Sequence, residues 1–198
     1  MTISSEDTFR LTLLAMFGIT MSVVGYHRLQ AAKSGDRISR REEGLLLAIA
    51  LRLAGLALWI GTFAYLISPN STAWSSLPLP NWLRWSGAVF GGLGCALIWW
   101  TLRHLGKNLT DTVVTRAQAT LVTSGPYRWI RHPFYVSAGL LLLADTLLTA
   151  NWLIGVFATT VMLLLAVRTP KEEQKLLDAF GEEYRSYRAR TGAFWPKW

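Results

Sequence analysis

The sequence predicts an all-α integral membrane protein of about five transmembrane helices, with a C-terminal helical hairpin followed by amphipathic cytoplasmic tail helices. Three observations carry this. Hydrophobic residues make up 52% of the 198 positions and charged residues only 16%, where a soluble domain carries roughly a quarter charged. Five apolar runs recur along the chain, each of about 17–24 residues, the length a bilayer-spanning helix needs. The lysines and arginines gather between those runs, predominantly on one side of them.

The first run is Phe9–Tyr26. The leader before it is acidic (MTISSEDTF) and no small-residue cleavage site follows, so it is expected to be a retained span rather than a signal peptide. The second, Gly44–Ile67, is interrupted by Arg52, which must face a protein partner, face a cavity or snorkel to the interface. A Pro/Ser-rich loop, SPNSTAWSSLPLP, then leads to the third run, Trp85–Leu102. The fourth and fifth, Phe134–Ala150 and Asn151–Val167, meet at a Thr149-Ala150-Asn151 corner and form a tight helical hairpin. Beyond it, Thr169-Pro170-Lys171-Glu172 matches a capping box with proline at the first helical position. Leu176, Leu177, Phe180, Tyr184 and Tyr187 recur at helical spacing, so the tail is an amphipathic cap that Gly181 could divide in two. Residues 1–102 are expected to be scaffold and residues 103–198 the cofactor-binding and catalytic region, within one structural domain.

Of the 20 lysines and arginines, 17 lie in the two links after the first and third runs and in the tail, leaving Arg10 and Arg84 opposite them and Arg52 within a span. That asymmetry places the N-terminus outside and the C-terminus and site in the cytoplasm. It also accounts for the net charge of +8 without a nucleic-acid partner. Ten tryptophans cluster near the run ends, where indole rings favour the membrane interface. The lone Cys95 excludes an intrachain disulfide or cysteine-based zinc site, no metal site is expected, and no soluble-enzyme motif is present.

One segment asks for more than membrane anchoring. In GPYRWIRHPFY, residues 125–135, Pro133 withholds a backbone donor and biases His132 toward extended backbone. Such a turn aims a side chain and leaves nearby backbone groups free for a ligand. With the tail it assembles a polar cluster of Tyr127, Arg131, His132, Tyr135, Arg168, Glu172 and Glu173. Simpler uses exist for several members: His132 as a helix cap, Glu172 as the capping-box acid, Arg168 as a snorkelling end.

The order Leu121-Val122, Gly125, Tyr127, Arg131-His132-Pro133, Tyr135, then a hairpin, then Arg168, Glu172-Glu173, Leu176, Phe180-Gly181, Tyr184, Tyr187 and Arg190 resembles the isoprenylcysteine carboxyl methyltransferase family over residues 121–196. Ser137 and Ala119 stand where that family commonly has glycine and histidine. The resemblance implies an integral-membrane enzyme using S-adenosylmethionine, with the cofactor surrounded by Ala119, Thr120, Leu121, Val122, Tyr127, His132, Pro133, Phe134, Tyr135 and Glu172, or Glu173 in its place. Arg131 and Arg168 would flank the reacting groups, Arg168 nearest the acceptor. The acceptor it implies is lipid-like or prenylated, reached from the bilayer among membrane lipids. A phospholipid amine methyltransferase, a sterol-reductase-like enzyme and a non-catalytic lipid-binding protein remain alternatives.

Overall fold

The computed structural model describes residues 4–32, 45–106 and 120–197. Ala119, Gly44 and the basic residues Lys33, Arg37, Arg40, Arg41, Lys107 and Arg116 lie outside the described residues. The described residues form five α-helices, two short 3₁₀ helices (Pro69–Ser75 and Gly125–Arg128) and no strands; the α-helices are α1 (Ser5–Ala32), α2 (Leu45–Ile67), α3 (Asn81–Leu105), α4 (Pro133–Thr149) and α5 (Trp152–Arg190). All but α4 are long and apolar enough to cross a membrane, and the chain is a multi-pass membrane protein.

Local chemistry sets the helix ends. The Ser4 hydroxyl accepts from the Asp7 amide (3.1 Å), and Glu6 and Asp7 place negative charge at the α1 N-terminus, where the helix dipole favours it. Ala150 turns the hairpin with a φ of 47°, and the Asn151 side chain accepts from the Leu153 and Ile154 amides to start α5. The same buried Asn151 donates to Thr72 O and Ser75 Oγ, fastening the Pro/Ser-rich loop against the corner.

The shorter α4, 17 residues long, is the central helix and packs most extensively on α3. Glycine makes this possible: a Cβ at Gly94 would meet Leu141 at 2.9 Å and one at Gly87 would meet Leu147 and Leu148 at 3.0 Å. Small residues let helix backbones approach where lipid offers no competing hydrophobic drive. A core of Phe9, Leu13, Leu58, Ala144, Leu148 and Ile154 fills the space between the helices. Asp145, buried on α4, accepts from the Thr62 hydroxyl of α2 at 2.7 Å. At the end away from GPYRWIRHPFY, Arg84 is buried on α3. It reaches Glu6 of α1 (2.7 Å), Tyr65 of α2 (3.1 Å) and Leu148 O of α4 (2.6 Å). Arg52 is exposed on α2, so its stem can run along apolar surface while its head seeks water.

The tail departs from expectation at its start. No new helix begins at Thr169-Pro170; α5 runs on through Pro170, and the Thr169 hydroxyl turns back to Leu165 O (3.0 Å) instead of capping. Proline removes one backbone donor, which α5 tolerates where its sequence turns from apolar to polar. The interruption comes at Gly181, whose φ of 53° and ψ of −125° are non-helical and suit a residue without a Cβ.

Candidate functional site

The site is built where α4 begins, with the turn before it resting on α3 and the polar half of α5 meeting both that turn and α4. Gly125 opens a short 3₁₀ turn, Gly125–Arg128, with a φ of 59°. It also admits the His104 ring, which a Cβ there would meet at 2.5 Å. The turn closes through the Trp129 and Ile130 amides on Pro126 O. His132 then precedes Pro133 with φ −120° and ψ 56°, non-helical as the proline demands, and its carbonyl accepts the first amides of α4 from Tyr135 and Val136.

The tail lies directly on this turn. Tyr187 donates to Tyr127 O at 2.7 Å, and Tyr184 and Tyr187 are buried beneath the cap as packing residues. After α5 the chain forms a two-residue parallel bridge: the Arg131 amide donates to Gly192 O (2.8 Å) and the His132 amide to Ala193 O (3.0 Å). The backbone donors that proline was expected to leave for a ligand are therefore taken by the tail. Tyr135 stacks on the His132 ring at 5.5 Å, and the Phe194 ring lies tilted 5.6 Å from it.

The two adjacent glutamates have different surroundings. Glu173 is buried and meets Arg131 Nε (2.8 Å), Arg188 Nε (3.2 Å) and His132 Nε2 (3.3 Å). Burial pushes its carboxyl up, but the His132 and Arg131 hydrogen bonds and the Arg131 charge outweigh that and bring it down to about 2. Glu172 is half-buried and accepts from the Tyr135 hydroxyl at 2.6 Å. Burial raises the Tyr127 hydroxyl above its ordinary range, and the negative charge of Glu172 raises it further, which sets these two groups within electrostatic reach.

Arg131 is held by all three guanidinium nitrogens: Nε and Nη2 on Glu173, and Nη1 on the Thr191 and Arg188 carbonyls. Arg168 is half-buried on α5, one helical turn before Glu172 and on the same face. Thr120, Leu121 and Val122 lead into Gly125 without regular secondary structure, with Thr120 exposed. Pro133 and Tyr135 are buried, and Phe134 packs against the buried Ile98–Leu102 stripe of α3. The structure thus joins Tyr135 with Glu172 and joins Arg131 and His132 with Glu173. Sequence reading missed the strap Gly192–Phe194 and the part played by Arg188. A two-residue bridge has no periodicity to betray it.

No group of three or more His, Cys, Asp or Glu side chains that could hold a metal ion occurs among the described residues. Residues 88–178 match the family model for isoprenylcysteine carboxyl methyltransferase. The mouse protein-S-isoprenylcysteine O-methyltransferase is 32% identical over 142 residues, 70% of this chain and 48% of that protein. Methanethiol S-methyltransferase 1 of Bradyrhizobium diazoefficiens is 33% identical over 70 residues, 35% of this chain and 24% of that protein. The chain spans about half the length of the mouse relative. In fold it resembles the solved eukaryotic intramembrane Ras methyltransferase, with a TM-score of 0.59 and 24% identity, over 93% of this chain and 67% of that one. Taken together, the family match and the relatives place residues 88–178 in the isoprenylcysteine carboxyl methyltransferase family, and the fold it shares with the solved methyltransferase extends over 93% of the chain.

Proposed function

We propose that this chain is a membrane methyltransferase that uses S-adenosylmethionine to methylate the carboxylate of an isoprenylcysteine-like acceptor arriving from the bilayer. The observation that carries the reading is the placement of Glu172. It is the member of the glutamate pair that no arginine neutralises among the contacts described, and it stands beside Tyr135 and near Tyr127, one turn from Arg168. A carboxylate flanked by aromatic rings suits a ligand carrying an ammonium, a sulfonium and an adenine. Those residues fit the cofactor, with Thr120, Leu121, Val122, Pro133 and Phe134 as the adjoining wall and Ala119 beyond the described residues.

When bound, S-adenosylmethionine supplies an electrophilic methyl group. The chain's own work is positioning and exclusion of water. An acceptor carboxylate is already anionic, so no general base has to remove a proton. Arg168 holds one acceptor oxygen with its planar fork and leaves the other free to attack. Charges that cancel as the methyl moves are better tolerated where water is excluded, which suits a site at a membrane surface. His132, in contact with the Tyr135 and Phe194 rings and bonded to Glu173, serves the architecture rather than proton transfer.

The match to methanethiol S-methyltransferase favours a second reading, a thiol acceptor. Thiol attack proceeds through the thiolate, so its rate rises with pH until the thiol is deprotonated. Carboxylate methylation is flat above the acid's own pKa. Methyl-labelled cofactor offered with prenylated cysteine or with a small thiol, across pH 6 to 9, decides between them. Label on the prenylated carboxylate with a flat profile is the expected result.

Glu172→Gln is expected to weaken S-adenosylhomocysteine binding about tenfold or more, as when an ammonium loses its charged partner. The melting temperature should barely move, since Glu172 is half-exposed and its hydrogen bond to Tyr135 survives as an amide contact. Calorimetric titration and a thermal melt measure both. Unchanged affinity would remove Glu172 from the ammonium site.

The reading also places the N-terminus and the Ser68–Pro80 loop outside and the C-terminus in the cytoplasm, with residues 103–198 as the catalytic region of a single domain. Reporter fusions test this: activity of a cytoplasmic reporter is expected at the C-terminus and of an external reporter in the Ser68–Pro80 loop. The reverse pattern would overturn the orientation.

A further inference from the structure

The Arg131 guanidinium, expected from the sequence to flank the reacting groups, is already engaged on every side. Nε lies 2.8 Å and Nη2 2.7 Å from Glu173 Oε1, while Nη1 donates to Thr191 O and lies 3.4 Å from Arg188 O. These carbonyls belong to the last turn and C-cap of α5, groups that carry the negative end of the helix dipole and lack partners within the helix. One side chain therefore neutralises a buried carboxylate on α5 and caps the end of the same helix. Its backbone meanwhile accepts the strap: the Arg131 and His132 amides bond to Gly192 O and Ala193 O. His132 hangs on the same carboxylate at 3.3 Å, with the Tyr135 ring stacked on it at 5.5 Å and the Phe194 ring tilted at 5.6 Å.

We propose that Arg131 and Glu173 are a positioning pair that clamps the C-terminal strap onto the His132–Pro133 turn, and that Arg131 makes no contact with the acceptor. The geometry explains why both partners sit deep, with Arg131 and Glu173 side chains 10% and 8% exposed: a fork that must meet an arriving substrate needs open donors, and this one has spent them on the fold. Arg188, 54% exposed, supplements the pair from outside. The proposal rests on the methyltransferase reading only for its activity arm.

The test uses the full chain in detergent or nanodiscs, with Arg131→Ala, Glu173→Gln, the double variant and Arg131→Lys. Three quantities are read: amide hydrogen exchange at residues 131–132 and 182–197, S-adenosylhomocysteine affinity, and KM for the acceptor. Either single variant is expected to speed exchange across the strap and to weaken S-adenosylhomocysteine binding about tenfold, since each leaves a buried charge without its partner. The double variant should lose little more than either single one, because the two residues act as a unit. Acceptor KM should stay within about twofold of wild type, the pattern of a group that makes no ground-state contact with the acceptor. Arg131→Lys keeps the charge beside Glu173 and should recover most of the affinity. If Arg131→Ala does not fold, the lysine variant and Glu173→Gln carry the same comparison.

A rise in acceptor KM with exchange and cofactor affinity intact would return Arg131 to the acceptor and overturn the clamp. So would full additivity in the double variant. Should the wild type bind no S-adenosylhomocysteine, the methyltransferase reading falls, and the exchange arm alone decides the clamp: faster strap exchange upholds it, unchanged exchange ends it.

Discussion

Arg168→Lys is expected to lower methyl transfer by roughly a hundredfold or more while leaving S-adenosylmethionine affinity within a few-fold of wild type. The charge survives the substitution, so a residue that merely snorkelled from the end of an apolar helix would tolerate it. What lysine lacks is the planar fork that fixes a carboxylate in one orientation. Misplacing a reacting group by about an ångström can cost that factor. Two measurements on one variant, turnover and calorimetric affinity, separate the outcomes. Near-normal turnover would remove Arg168 from the acceptor, and lost affinity would move it into the cofactor site.

The second large effect is expected at Gly192. A Cβ there would lie 1.7 Å from Trp195 O, a backbone atom that cannot rotate away, so Gly192→Ala must displace the turn that follows the strap. The Arg131 and His132 amides would then lose their acceptors and Phe194 its seat on His132. S-adenosylhomocysteine affinity should fall about tenfold or more, the scale of losing two or more good hydrogen bonds. The tail should become open to protease, while membrane insertion is untouched. Gly181→Ala is the control: its φ is 53° but nothing lies within 4 Å of the added methyl. It should cost stability of about 1–3 kcal/mol through backbone strain alone. Equal affinity in the two variants would show that the strap does not shape the site.

The spans were legible because each announces itself locally. Apolar length names the helix, and Pro80, Pro133 and Asn151 mark three of the helix starts. The amphipathic face of the tail was legible for the same reason, from Leu176, Leu177, Phe180, Tyr184 and Tyr187 at helical spacing. The start at Thr169 was misread. A capping box and a proline inside a continuing helix share the same letters, and only the run of backbone through Pro170 distinguishes them. At the site, the residue types and their order were readable, but the partnerships were not. Arg131 meets groups 42 to 60 positions away, and a sequence shows an arginine's charge without showing whether its donors are already used. Glu172 and Glu173 differ by one position and hence by about 100° around a helix, enough to send one toward the half-open side and the other into the interior.

The knot around Arg84 implies an order of events as the chain enters the bilayer. A span that opens with an arginine is costly to insert unless the charge finds company. Glu6 and Tyr65 are already in place when α3 emerges, so the far ends of α1, α2 and α3 can be tied together first. Leu148 O, the acceptor for two of the Arg84 nitrogens, comes 64 residues later. Arrival of α4 against the glycine face of α3 completes that set of bonds and buries the guanidinium. The Arg84 knot thus gives the growing chain a three-helix raft, with a berth for the helix that carries His132 and Pro133 at its start.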